Sequence, residues 1–295
     1  RKEALEEIRK VCDSQHYILG KNVAALESEI AAYSGAKYAI GVASGTDAIL
    51  IALMAAGVKA GDKVVTTPFT FFATAGSISR IGAIPVFVDI DPETYNIDPT
   101  ALEALLKKSS KGVKAVIPVH LYGQCADMDP VMKIAKKYKL CVIEDAAQSI
   151  GAGYKGKRAG AIGHMGCLSF YPTKNLGCFG DGGMVTTNDA KLAERSKMLR
   201  VHGSRVRYYH DEVGANSRLD EIQAAILRIK LKRLDSWATG REKNAKKYDA
   251  LFAKAAIKGV LSTPRISEGS TSVYNQYVIR VKKRDELRAY LAAEG

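Results

Sequence analysis

The sequence predicts an α/β protein with a mostly parallel sheet held between helices. Three observations lead there. Short β-branched runs alternate with helical stretches from residue 20 to about 200. Glycine and Asp-Pro signals punctuate the spaces between them. After about residue 217 the texture shifts to long amphipathic patterns, as a second unit would require. Strands separated by helices run parallel, because each crossover returns the chain to the same end of the sheet. Such a sheet needs cover on both faces and takes ligands beyond the carboxyl ends of its strands.

The elements follow in order. Arg1 to Lys10 is charged and helix-like, without the apolar stretch of a signal peptide. Strand candidates are Tyr38–Val42, Lys63–Thr67, Ile84–Val88, Ala115–Val119, Cys141–Glu144, Gly166–Phe170 and Met184–Thr187. Asp98-Pro99 and Asp129-Pro130 each read as an N-cap aspartate before a proline at the first helical position. Arg218 to Leu234 is strongly amphipathic, and a lysine-rich helix runs on towards Lys254. A strand candidate, Tyr277–Val281, and a helix, Asp285–Glu294, follow. The expected division is a large domain over 1–217, with an N-terminal helical segment, and a smaller C-terminal α/β domain over 218–295. The small domain is expected to be incomplete at Gly295.

Composition narrows the function classes. The 295 residues are 47% hydrophobic and 25% charged, ordinary for a soluble globular chain. No run approaches the ~18 apolar residues of a membrane helix. The net charge of +13 is spread along helix faces, as at Lys133, Lys136, Lys137 and Lys139, which lie off the stripe Val131, Ile134, Ala135, Tyr138. That pattern is a solvated face with an attraction for anionic substrates, and no basic block with interleaved aromatics suggests nucleic acid. Five cysteines, none in a CxxC pair, read as reduced thiols of a cytoplasmic protein, and the five histidines lack metal spacing.

Four stretches carry chemistry. Ala43-Ser44-Gly45-Thr46-Asp47 follows a strand and opens a helix, so Gly45 and Thr46 can hold a phosphate on free N–H groups; a plain serine cap is the alternative. Cys141 to Gln148 is a strand ending in acids, where a buried Asp145 needs a cationic partner and Gln148 can reach a ring substituent; a helix-capping aspartate is the alternative. Ser169 to Gly183 carries Lys174 among apolar residues and glycines, a setting that suits a nucleophilic amine better than a surface charge, with Ser169 as a further phosphate contact. In Pro68 to Thr74, one of Phe69, Phe71 and Phe72 can stack on a flat ligand, with core packing expected for the other two.

Their order decides between these alternatives. Phosphate turn, aromatic, Asp-x-x-Gln, then Ser with Lys five residues later resembles the DegT/DnrJ/EryC1/StrS family of nucleotide-sugar aminotransferases. VIEDAAQ and SFYPTKNLG with GDGG carry the resemblance, supported by QHYILG from Gln15, PVHLYGQCAD from Pro118 and GANSRLD from Gly214. It implies a pyridoxal 5′-phosphate (PLP) transferase of fold type I, with the large domain binding PLP through a seven-stranded sheet. Lys174 would be the Schiff-base lysine, Asp145 the partner of the pyridinium nitrogen and Phe71 the stacking aromatic. Gln148 would contact the ring face or hydroxyl, and Gly45, Thr46 and Ser169 the phosphate. Asn216 would complete the phosphate site from a second subunit, making a homodimer with shared sites, and Arg218 would reach substrate. His120 is assigned a structural role only.

The resemblance further implies transfer of an amino group from L-glutamate to a nucleotide-linked keto sugar, at C3 of a UDP- or dTDP-3-keto sugar, for polysaccharide or amino-sugar biosynthesis. Related dehydratases replace the lysine by histidine, so Lys174 favours transamination. Two alternatives stand: a C4 aminotransferase of the perosamine type, and a PLP- or ligand-binding regulatory protein.

Overall fold

Seven strands form the central sheet of the computed structural model, which describes residues 2–255 and 259–295. They are β1 (Tyr38–Val42), β2 (Lys63–Thr66), β3 (Ile84–Phe87), β4 (Val113–Val116), β5 (Cys141–Asp145), β6 (Met165–Ser169) and β7 (Gly183–Thr187). Their order across the sheet is β1-β7-β6-β5-β4-β2-β3. Neighbours from β6 to β3 are parallel, and β7 alone runs antiparallel, to β1 and β6. All seven coincide with predicted runs to within a few residues. The β4 run ends early because Pro118 has no N–H to continue the ladder; its carbonyl instead accepts from Asp145 N at 2.9 Å.

Ten helices accompany the sheet among the described residues. Those used below are α1 (Lys2–Ser14), α2 (Lys21–Ser34), α3 (Gly45–Ala55), α4 (Phe72–Arg80), α5 (Pro99–Lys108), α6 (Met128–Tyr138), α7 (Ala190–Leu199), α8 (Glu221–Leu231), α9 (Leu234–Lys254) and α10 (Arg284–Glu294). Because strand side chains alternate, the sheet feeds two cores. Val65, Val116, Val142 and Leu168 pack with Leu26 of α2, Leu102 of α5, Val131 of α6 and Leu227 of α8. Val64, Ala115, Ile143 and Cys167 pack with Ile51 of α3, Ile78 of α4 and Ala193 of α7. From Ala48 to Ala55, α3 buries every residue but Met54, so its N-terminus is rigidly aimed.

One predicted start is corrected. Asp98 caps α5 as expected, accepting from Thr100 N at 2.8 Å. Asp129 does not cap α6, which begins at Met128 after Asp127. The Tyr154 hydroxyl accompanies the shift, donating to Asp127 Oδ1 at 2.5 Å just before the helix and accepting from Asp129 N at 3.0 Å inside its first turn. The lysines of α6 are exposed around a buried stripe, as the pattern predicts. All five cysteines are free thiols, with Cys167 buried and Cys141 only partly so.

Beyond α9 the extended structure is shorter than expected, since only Arg280–Val281 of the Tyr277–Val281 run is strand, paired with Leu261–Ser262. Ser270–Thr271 pairs instead with Gly153–Tyr154, laying the late segment against the main sheet's loops. Among the described residues no helix is long and apolar enough to cross a membrane.

Ile143, fully buried at the centre of β5, tests how firmly the core holds the strand that ends in Asp145. Ile143→Ala should cost about 2–5 kcal/mol in urea unfolding. It should also loosen the site next to it.

Candidate active site

At the carboxyl edge of the sheet, the ends of β1, β2, β5 and β6 and the start of β7 surround a cavity of about 500 Å³. Gly45, Thr46, Phe71, Asp145, Gln148, Ser169 and Lys174 all line it. Folding therefore brings four stretches that span more than a hundred residues to one place.

The β1–α3 turn forms the first wall. Ser44 does cap α3, accepting from Asp47 N at 3.0 Å, but the cap leaves Gly45 and Thr46 facing the cavity. Their N–H groups precede any intrahelical acceptor, and the helix dipole adds positive potential there. The turn is closely packed: a Cβ on Gly45 would lie 2.6 Å from Ser169 Cβ, and one on Gly183 only 2.3 Å from Ser44 O. Two glycines thus let the β6 and β7 ends touch the anion-binding turn.

Opposite stands Asp145 at the end of β5. Its Oδ2 accepts from Thr74 Oγ1 of α4 at 2.7 Å and its Oδ1 from Ala147 N at 3.2 Å, with no ion pair among the described residues. Burial pushes its carboxyl above the ordinary carboxylate range, opposed by those two hydrogen bonds and by His120 and Lys174. It accordingly acts as a local Asx turn rather than a helix cap. A flat cation entering the cavity would find a waiting counter-charge.

Lys174 sits half-buried across the cavity. Desolvation lowers its amine below the usual lysine range, against the pull of Asp145. A larger free-base fraction makes it a better nucleophile towards a carbonyl. Gln148 is oriented by the chain: its Oε1 accepts from Tyr122 N at 2.7 Å, which leaves the amide NH₂ as the end free to donate.

The aromatics depart from expectation. None of Phe69, Phe71 and Phe72 is in the core, at 45, 71 and 81% exposure. Phe69 tilts against Tyr95 at 5.9 Å, and Phe71 alone of the three lines the cavity. Asn216 and Arg218 do not line the cavity. Asn216 is exposed and bridged to Val201, while the adjoining Ser217 accepts from Ala43 N at 3.1 Å beside the phosphate turn.

Sequence reasoning missed three features. Gln276, far beyond residue 217, lines the cavity. Asn175, next to Lys174, donates to Val273 O at 3.0 Å and accepts from Asn275 Nδ2 at 2.6 Å, fastening that late segment to the lysine loop. Glu144 is fully buried and bonded to His120, which also lines the cavity. Only the double acid in VIEDAAQ hinted at Glu144. No three-residue group of metal-binding side chains occurs among the described residues.

Comparison with known proteins extends this picture. The DegT/DnrJ/EryC1/StrS aminotransferase family model matches residues 1–295. A "Pleiotropic regulatory protein" of Geobacillus stearothermophilus is 54% identical over 99% of this chain and 78% of its own. A UDP-2-acetamido-2-deoxy-3-oxo-D-glucuronate aminotransferase of Pseudomonas aeruginosa is 48% identical over 98% of this chain and 78% of its own. Among solved structures, S. venezuelae DesV in complex with a ketimine intermediate superposes with a TM-score of 0.93 at 42% identity, covering 100% of this chain and 78% of that one.

Gly183→Ala tests the closeness of the anion turn. The added methyl must displace Ser44, so stability should fall by about 1–3 kcal/mol. Affinity for inorganic phosphate, read by calorimetry, should fall with it.

Proposed function

The chain belongs to the DegT/DnrJ/EryC1/StrS aminotransferase family, and we propose that it moves an amino group from L-glutamate to C3 of a UDP- or dTDP-linked 3-keto sugar, using PLP. The observation that carries this reading is the facing of Lys174 and the cation-less, buried Asp145 across one cavity floored by an anion turn. The C3 choice draws on the 3-oxo sugar acted on by the Pseudomonas relative.

The residues fit PLP in each part. When bound, PLP supplies an electrophilic aldehyde and a protonated ring that accepts negative charge from the substrate carbon. Gly45 and Thr46 N–H groups and the Ser169 hydroxyl bind the phosphate, with the partner subunit's Asn216 in a homodimer. Asp145 would pair with a protonated ring nitrogen, and that pairing would relieve its own burial. Phe71 would stack on the ring, and the Gln148 NH₂ would contact the ring face or its hydroxyl. The Lys174 amine would hold the cofactor's aldehyde end and, once free, would serve as the base and acid that moves the proton at the substrate carbon. The partner's Arg218 binds substrate.

A regulatory role is the second reading, favoured by the name of the Geobacillus relative. A regulator would bind PLP or another ligand without turnover. Amino transfer from glutamate to 3-keto and 4-keto nucleotide sugars separates the readings: product from the 3-keto sugar is expected, product from the 4-keto sugar alone indicates the perosamine-type activity, and none from either leaves the regulator.

Two variants test the roles. Lys174→Ala should abolish the visible absorbance of PLP bound as an imine, and its persistence would assign another lysine. Asp145→Asn should lower kcat on the order of 100-fold or more, as loss of a preorganised charge does. The pH dependence follows from the sign of the Asp145 shift. Lowering pH through its raised pKa protonates the carboxylate and removes the counter-charge, so PLP affinity should drop at a higher pH than for an ordinary aspartate. Equilibrium dialysis across that range measures it, and Asp145→Asn should flatten the response.

A further inference from the structure

His120 has the address of an acid/base group, a histidine on the wall of the cavity. Its bonding says otherwise. The side chain is fully buried, and its Nδ1 accepts from Ala126 N at 3.1 Å, so Nδ1 carries no hydrogen. Its Nε2 lies 2.8 Å from Glu144 Oε2 and donates there. Glu144 is also completely buried, and its four acceptor positions are filled. Oε2 takes His120 Nε2 and Gly160 N at 2.8 Å, while Oε1 takes Ile162 N at 2.8 Å and Gly163 N at 2.6 Å. A second proton on His120 Nδ1 would set two donors against each other.

The backbone ties the pair to Asp145. His120 N donates to Asp145 O at 2.9 Å, and Asp145 N donates to Pro118 O at 2.9 Å. This continues the parallel register beyond β4, with Val119 bridged to Asp145. The residue before Asp145 thus grips the His120 ring, and Asp145 itself grips the His120 backbone. Strand β5 is held at both sides just where its functional carboxylate emerges.

We propose that His120 and Glu144 form a positioning clamp for Asp145, in which Glu144 fixes His120 as the neutral Nε2–H tautomer and His120 exchanges no proton with substrate. The proposal rests on the reading of Asp145 as partner of the PLP ring nitrogen. It makes His120 a positioning residue and leaves Lys174 as the group that moves the substrate proton. The charged and titratable groups that face this pair are Asp145, which feels His120, and the thiols of Cys125 and Cys167, which both feel Glu144. Both thiols are buried and pushed above the usual thiol range, so they stay neutral.

The test uses the PLP-loaded enzyme and two variants. His120→Asn keeps an acceptor for Ala126 N but cannot reach Glu144, while His120→Gln can place an NH₂ on Glu144. Nitrogen NMR of the wild type should show the Nε2–H tautomer unchanged through the neutral range. His120→Asn should still bind PLP but lose on the order of 10- to 100-fold in kcat, the scale of a misplacement near 1 Å. KM for glutamate should change little, and the pH at which the visible band titrates should shift. His120→Gln should recover part of both. A role in folding alone would lower the melting temperature without moving that titration, and that result overturns the clamp. So does an Nδ1–H or doubly protonated ring, or the loss in His120→Asn of a pH–rate limb that tracks the histidine. If His120→Asn does not fold, the tautomer and the His120→Gln titration still decide. A wild type that shows no PLP band defeats the proposed function instead, and the tautomer measurement still judges the clamp.

Discussion

A carboxylate buried at the end of a β-strand, with no cation paired to it among the described residues, is the constraint around which this molecule is arranged. Asp145 has two hydrogen-bond donors, Thr74 Oγ1 and Ala147 N, where a fully satisfied buried carboxylate has more. Its neighbour Glu144 shows the contrast, with four donors and no exposure. Adjacent positions on one strand point to opposite faces. One acid is therefore sealed into the structure and the other left short of partners in a cavity. That residual demand suits a ligand with a protonated ring better than any group the chain supplies.

Electrostatics across the cavity follow from this. Burial raises Asp145 and lowers Lys174, so each is shifted towards its neutral form before a ligand arrives. A cationic ring beside Asp145 and a carbonyl beside Lys174 reverse both costs together. The N-terminus of α3 supplies a third fixed potential, of positive sign, and the buried body of that helix holds it in place. Close backbone approach at Gly45 and Gly183 packs the α3 turn against the β6 and β7 ends, and all three fields open into one cavity.

Much of this was legible in the sequence. Short β-branched runs located all seven strands, because a sheet covered on both faces favours continuous apolar, β-branched stretches. Lys174 and Asp145 could be singled out because each breaks the local pattern, a lone lysine among glycines and an acid closing an apolar strand. Where reading failed at α6, a partner distant in sequence, Tyr154, bonds across its start; at β4 the cause was local, the missing N–H of Pro118. The three phenylalanines looked alike as residues, and only the folded chain shows all of them outside the core.

The sequence by itself determined the sheet, its strand order of appearance and the chemical types at the cavity, since those depend on local periodicity and on residues that stand out from their neighbours. Only the tertiary structure decided that Gln276 joins the cavity, that Asn175 ties the late segment to the lysine loop, and that His120 is locked by Glu144. The physical reason is that a hydrogen bond fixes a role through direction and partner. For these residues the partner lies on another element, and its direction exists only once the chain has folded.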